Sequence, residues 1–168
     1  VCPQRLHTMV TADVSVVIMT LNEEENIDHC LNSVKGWSSD IHVVDSDSTD
    51  NTVNLAKKYT QQIHRMREDL DGSYEYANMR NWVINTISFD NEWVLFLDAD
   101  ERLTGNLRKE ISNKINKSEQ SGFYIHRKFI FLDKWLKYGR NYTKEIRLYK
   151  HSECEYIERG ANDYVRVN

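Results

Sequence analysis

Two aspartates one residue apart, Asp98 and Asp100, follow an apolar run, Trp93 to Leu97, that reads as a buried strand. Carboxylates at the end of such a strand are costly to leave unpaired, and a hard divalent cation, Mn²⁺ or Mg²⁺, is their natural oxygen-seeking partner. A cation held there would in turn hold a diphosphate. The plainer alternative is a turn in which one aspartate caps the next helix. Asp45 closes a second apolar run, Ile41 to Asp45, where a carboxylate can accept hydrogen bonds from a base or a ribose. A third strand end carries Thr20, Leu21, Asn22 and Glu23. The run Asp45 to Asp50 starts like a calcium loop but fails the pattern. Asp50 stands where the tight-turn glycine belongs and Ala56 where the bidentate acid belongs. Ser48, Thr49 and Asp50 therefore read as a helix-capping turn.

These ends need a scaffold that brings them together. Val14 to Thr20 is short, β-branched and apolar, as expected of a strand buried on both faces. After it, Asn22 as a cap, Glu25, and Ile27, Cys30, Leu31 and Val34 at helical spacing predict a helix that Gly36 ends. Ile41 to Asp45 predicts a second strand and Asn51 to Tyr59 a second helix. Gln61 to Met66 reads as a weaker strand and Tyr74 to Ile87 as a helix. Trp93 to Leu97 is the strongest strand, and a helix follows from Thr104 with Leu107, Ile111 and Ile115 on one face. Gly122 to Leu132 and Glu145 to Lys150 read as further strands around a loop with Trp135 and Gly139. The simplest architecture is one open, mostly parallel α/β sheet, with residues 1–13 as an extension and 14–168 as the core. Such sheets bind ligands beyond the carboxyl ends of their strands, where the three loaded turns lie.

Composition narrows the classes. The 168 residues are 40% hydrophobic and 29% charged with a single proline, a globular profile sufficient for one domain. Three cysteines without a CxxC pair support neither a disulfide framework nor a zinc knuckle, so a reducing cytoplasm is expected. No apolar run approaches the roughly 18 residues that span a bilayer, which predicts a soluble domain or one at most peripheral to a membrane. Charge is uneven. Tyr124 to Lys150 holds eight basic residues against two acids in a chain of formal charge -4, so this +6 segment stands against a remainder of about -10. That asymmetry suggests an anionic partner, nucleic acid not among those expected, although a basic stretch is more often simply a solvated face. Trp135, Tyr138 and Tyr142, interleaved with Lys134, Lys137 and Arg140, suggest a sugar-stacking platform or an anionic-acceptor contact, unless the rings serve the core.

The segments VVIMTLNEEENIDHCLNSV, HVVDSDSTDNTVNLAKKY, RNW and VLFLDADERL, in this order, resemble glycosyltransferase family 2. With the later IRLYK they are most similar to its lipopolysaccharide-core β-1,4-glucosyltransferase group. The resemblance implies a GT-A-type, Rossmann-like fold and inverting transfer from a nucleotide sugar, UDP-linked, to an anionic glycan or lipid-linked acceptor. It also implies Mn²⁺ or Mg²⁺ as cofactor and a location in the cytoplasm or at the inner face of the membrane. By position, it gives Thr20, Asn22 and Glu23 to the nucleotide pocket and Asp45 to the base. Arg80 would lie near the nucleotide, and Asp98 and Asp100 would meet the metal and diphosphate. As plain sequence, Arg80 reads equally as a helix-surface cation, and Glu24 and Glu25 as solvated charges at a helix start.

An inverting transfer needs a carboxylate to take the proton of the attacking hydroxyl. Where the resembling group has His-Glu, this chain reads Asn162-Asp163, so the resemblance assigns the base to Asp163; the alternative is a turn residue near a frayed end. Asp47 replaces the glycine usual in the first acidic turn, which suits a left-handed backbone only moderately. The chain also stops sooner than the group generally does and reads as a truncated core. Two other readings compete. One is a nucleotide-sugar-binding domain without its base. The other is a haloacid-dehalogenase-type phosphatase, which also uses Asp-x-Asp and Mg²⁺ but places them on its first strand.

Overall fold

The computed structural model describes residues 11–66, 76–132, 134–136, 144–159 and 162–167. Its frame is a six-stranded sheet. Strands β1 (Val14–Thr20), β2 (Asp40–Asp45), β3 (Ile63–Arg65) and β4 (Trp93–Asp98) run parallel in the order β3-β2-β1-β4. Helices α1 (Ile27–Val34), α2 (Thr52–Ala56), α3 (Tyr76–Thr86) and α4 (Gly105–Ile115) connect or follow them. Side chains alternate across the strands. Val14, Val16 and Ile18 pack with Ile27, Leu31, Val34, Ala56 and Ile111 on one face, and Val17, Val44, Val94 and Phe96 pack on the other with Val83 of α3 and Ile87 just beyond its end. Covering both faces is what makes the central strands apolar throughout, and each fully buried Val or Ile contributes about 1.5–3 kcal/mol.

Register places the chemistry. Thr20 lies beside Asp45 and Met19 beside Asp98, so all three loaded ends share one edge of the sheet. Helix starts differ from expectation. α1 begins at Ile27 with Asn26 at its cap position, and Asn22 is instead a left-handed residue with φ 54°. α2 is a single turn after Asn51, while Thr104, and not an aspartate of the strand-end turn, caps α4 by accepting from the Leu107 amide.

The later half departs further. β5 (Gly122–His126) pairs with β8 (Lys144–Lys150) as far as His126 opposite Lys144, and residues 127–129 are not in a strand. The single strand expected from Gly122 to Leu132 therefore breaks. Its remainder forms β6 (Ile130–Phe131), which pairs with β7 (Lys134–Trp135) in a separate hairpin. β8 runs antiparallel to both β4 and β5, and a 3₁₀ turn at His151–Glu153 leads to an antiparallel pair, β9 (Cys154–Arg159) and β10 (Asn162–Val167). This pair packs against α3. Asp163 accordingly sits in a strand and not in a terminal turn.

Candidate functional site

Two of the strand-end loops hold each other. The Asn22 amide donates to Ser48 Oγ at 2.8 Å and the Thr49 amide to Asn22 Oδ1 at 2.8 Å. The Glu23 amide donates to Thr52 Oγ1 at 2.7 Å, the Glu24 amide to Asp50 Oδ2 at 3.1 Å, and the Asn51 amide to Glu24 Oε2 at 2.9 Å. Asp50 also accepts from the Thr52 amide, so the Asp/Ser turn caps α2 as expected and ties it to the loop after β1 as well. Glu24 is thus a cross-link and not a merely solvated charge. Asp47 adopts the left-handed backbone its position demands, φ 72°, and its carboxylate pairs with Arg65. An aspartate tolerates that conformation better than most residues.

Between these loops lies an unusual pair. Thr20 and Asp45 are 4% and 3% exposed, neighbours across β1 and β2, and their side chains share a face. Asp45 Oδ2 accepts from the Ser48 amide at 3.0 Å, but Asp45 Oδ1 and Thr20 Oγ1 are buried without a hydrogen-bond partner among the described residues. Each such group costs about 1–3 kcal/mol unless something fills its valence. Two side by side at a strand end mark a place where a polar ligand belongs.

On the opposite face, Asp98 is clamped. Arg147, 4% exposed, donates from Nη1 to Asp98 Oδ1 at 3.2 Å and from Nη2 to Asp98 Oδ2 at 2.9 Å. Its Nε donates to Glu145 Oε2 at 2.9 Å. Arg80 of α3 stands 3.6 Å from Asp98 Oδ1 and over the Phe96 ring, so it faces the sheet end and is not a surface cation. Glu101 reaches back to accept from the Asp98 amide at 3.0 Å, and Arg127 joins Glu101 and Glu145. Burial alone would raise the Asp98 pKa, but the hydrogen bonds and charge of Arg147, with Arg80 and Arg127 behind it, hold it below the usual carboxylate range. Burial does raise Glu101, and it raises the Cys30 thiol, whose Sγ lies 3.7 Å from the Asp98 carbonyl. Cys30 is therefore inert packing.

Asp98 is thus a fixed anion, a third exposed, and Asp100 is exposed beside it. Among the described residues, no three His, Cys, Asp or Glu groups are arranged to hold a metal by themselves. Two strand-end carboxylates nevertheless fit Mg²⁺ or Mn²⁺, which are commonly held by one or two carboxylates together with substrate phosphates.

The structure therefore brings Thr20, Asn22, Glu23 and Asp45 to one end of the sheet, and Arg80 and Asp98 to the same end on the α3 face. Asp163 lies in β10 opposite Glu158, on the α3 side; its side chain is outside the described residues, as are Tyr138, Tyr142, Lys137 and Arg140. Trp135 is described, half-exposed with Lys128 over its ring, and not in the core. Sequence reasoning missed the roles of Arg147, Glu101, Arg127 and Glu145. The signal available was an arginine and a glutamate within a basic, apolar strand, Lys144–Lys150, which only the pairing of β8 with β4 brings to Asp98.

Residues 15–162 match the family model described as Glycosyl transferase family 2. An uncharacterized glycosyltransferase of Rickettsia conorii is 32% identical over 106 residues, 63% of this chain and 35% of that protein. The SPbeta prophage-derived glycosyltransferase SunS of Bacillus subtilis is 36% identical over 107 residues, 64% of this chain and 24% of that one. The lipopolysaccharide core biosynthesis glycosyltransferase LpsC of Rhizobium meliloti is 28% identical over 152 residues, 90% of this chain and 53% of its own length. The chain thus spans roughly a quarter to a half of these relatives. Among solved structures, glucosyl-3-phosphoglycerate synthase from Mycobacterium tuberculosis, in complex with uridine-diphosphate, superposes with TM-score 0.52 at 24% identity over 69% of this chain and 46% of that one. That likeness is one of fold, and the fold is the GT-A type the sequence predicts.

Proposed function

Because the chain belongs to glycosyl transferase family 2, we propose that it carries the donor site and the chemistry of an inverting hexosyltransferase that uses a UDP-sugar. The observation that supports this most is the buried, unfilled pair Thr20 Oγ1 and Asp45 Oδ1 at the end of the parallel strands. A carboxylate oxygen there calls for an N–H donor. Uracil offers one at N3 beside two carbonyls, whereas cytosine has none at that position. Thr20, with a hydroxyl that can donate or accept, complements a carbonyl or a ribose hydroxyl. Asn22 and Glu23 border this pocket and keep its two loops joined.

Arg147 holds Asp98 ionised and oriented, and Arg80 adds positive charge where a diphosphate would lie. Asp98 and Asp100 are the residues that would hold Mn²⁺ or Mg²⁺. When bound, that ion supplies charge stabilisation for a departing nucleoside diphosphate. Asp163 is assigned to the acceptor side as the base that removes the proton of the attacking hydroxyl. The placement of β10 against α3, the helix that carries Arg80, supports this. The acceptor is taken to be an anionic glycan or lipid-linked sugar, in keeping with the name of the LpsC relative and the basic segment from Tyr124 to Lys150.

Calorimetry of UDP with Mn²⁺ and with EDTA tests the reading. Binding at least about tenfold tighter with the ion is expected, equal to about 1.4 kcal/mol. Equal affinity under both conditions would sink the metal bridge, and no binding under either would sink the donor site.

A further inference from the structure

The β6–β7 hairpin stands apart from both hydrophobic cores. Phe129, Ile130, Phe131, Leu132, Trp135 and Leu136 are all exposed, Leu132 at 79%. Six large apolar side chains within eight residues are far more than the scattered exposure normal for a surface. The tip also holds Leu132 at φ 47°, a left-handed conformation that a glycine or asparagine adopts with less strain. An apolar residue kept at so exposed and unfavourable a position points to a use for its side chain.

Cations lie along this hairpin and behind it. Lys128 Nζ lies 4.6 Å from the Trp135 ring centroid, Lys144 Nζ lies 5.0 Å from that of the exposed Tyr124, and Arg127 caps Phe129. Lys134 is exposed within β7. Apolar side chains at a tip, with aromatic rings and lysines just behind, match the layering of a bilayer interface, where acyl chains, headgroup carbonyls and phosphates succeed one another. The charge agrees, since this basic segment belongs to a chain of formal charge -4. Self-association through two such hairpins would bring like charges together.

We propose that the β6–β7 hairpin is a docking element for an anionic lipid bilayer, with Phe131 and Leu132 entering the interface and Lys128, Lys134 and Lys144 meeting lipid phosphates. No helix among the described residues is long and apolar enough to cross a membrane, so this contact would be peripheral. The hairpin is rooted at Arg127, which pairs with Glu101 and Glu145 beside Asp98. Docking would therefore hold the donor site close to the headgroups. The consequence that a lipid-linked acceptor is met there rests on the transferase reading above; the docking itself does not.

Sedimentation of the chain with vesicles of phosphatidylcholine, alone or mixed with phosphatidylglycerol, reads the contact directly. Binding to the mixed vesicles, weakened by salt, is expected. Phe131→Ser with Leu132→Ser should weaken it on the order of tenfold or more by removing buried apolar area. Each of Lys128→Gln and Lys134→Gln should weaken it about fivefold. Near-ultraviolet circular dichroism shows that the variants stay folded, as expected for exposed positions. Absence of binding to the mixed vesicles, equal binding to phosphatidylcholine alone, or full binding by the folded double-serine variant would each overturn the proposal. So would a concentration-dependent dimer that those serines abolish in a chain that ignores vesicles, since a second copy would then be the occupant. Because the readout is vesicle binding and not transfer, it can fail while UDP binding succeeds, and the reverse.

Discussion

The two ends of the parallel sheet both bury polar side chains, and they treat them differently. At the amino ends of β1 and β2, Asp40 is 1% exposed and accepts from Ser15 Oγ at 2.5 Å, Gln62 Nε2 at 2.9 Å and the Asp90 amide at 3.0 Å. His42 Nε2 is 2.9 Å from Asp40 Oδ1, close though not aligned as a hydrogen bond, and its Nδ1 is 3.1 Å from His64 Nε2. Here the protein supplies the carboxylate's partners. At the carboxyl ends, Asp45 is as deeply buried, but one of its oxygens, like the neighbouring Thr20 hydroxyl, has no hydrogen-bond partner among the described residues. A network closed by protein contributes to stability, whereas one left open keeps a cost that a ligand or an ordered water must offset. Burial of an aspartate does not by itself identify a site; its unmet hydrogen bonds do.

Several substitutions sharpen this contrast. The largest effect is expected on turnover. Asp163→Asn keeps size and an acceptor oxygen but removes the proton-accepting charge, so transfer should fall on the order of 10²–10⁴-fold with donor affinity nearly unchanged. Retained turnover in an active parent would place the base elsewhere, with Glu155 and Glu158 next to try. Loss of donor binding would move Asp163 into the nucleotide pocket.

Next in size is Arg147→Met. It strips the clamp from Asp98 and leaves Glu101 and Glu145 with less compensation, so denaturant unfolding should show a loss of about 3 kcal/mol. That is the lower part of the usual range for a broken buried pair, because Asp98 is a third exposed. An unchanged midpoint would mean that Arg80 and Arg127 suffice.

The direct comparison of ends pairs Asp40→Asn with Asp45→Asn. The first turns an acceptor into a group that clashes with donors already in place, and should cost about 2 kcal/mol of stability while leaving UDP affinity alone. The second should change stability by less than about 1 kcal/mol and weaken UDP about tenfold. Reversed outcomes in calorimetry and unfolding would break the distinction between closed and open networks.

The smallest effect concerns acid. Burial raises the Asp40 pKa, but its hydrogen bonds from Ser15, Asp90 and Gln62, with the charge of His42, hold it below the ordinary value in the folded state. Its contribution is therefore present above the unfolded pKa of about 3.9 and is lost as pH falls through the folded value. His64, lowered first by burial and then by His42, gives a slope of the same sign from its unfolded value of about 6.5 downward. Unfolding followed across this range should fall less steeply below pH ~4 in Asp40→Asn than in the parent; parallel curves would show that Asp40 does not govern the acid limb.

Much of the frame was legible in the residues. Continuous apolar β-branched runs at Val14 to Thr20 and Ile41 to Asp45 admit little but buried parallel strands, and the strand-end aspartates announced which edge carries chemistry. Less legible were short-range choices settled at a distance. Asn22 has the chemistry of a helix cap, yet its amide and carboxamide are taken by Ser48 and Thr49, 26 and 27 residues away. A local rule cannot see a partner on another loop.

By itself, then, the sequence determined the element types of the first half, the edge on which the loaded turns sit, and the identity of Asp45 and Asp98 as strand-end acids. Those follow from period and apolarity, which act over a few residues. Only the tertiary structure decided that Arg147 would grip Asp98, that Gly122 to Leu132 would break at His126, and that, among the described residues, Asp40 would be satisfied while Asp45 would not. Each of these depends on which strands pair and in what register, a choice made by packing between segments tens of residues apart, so the same residue type becomes a closed structural bond at one end of the sheet and an open valence at the other.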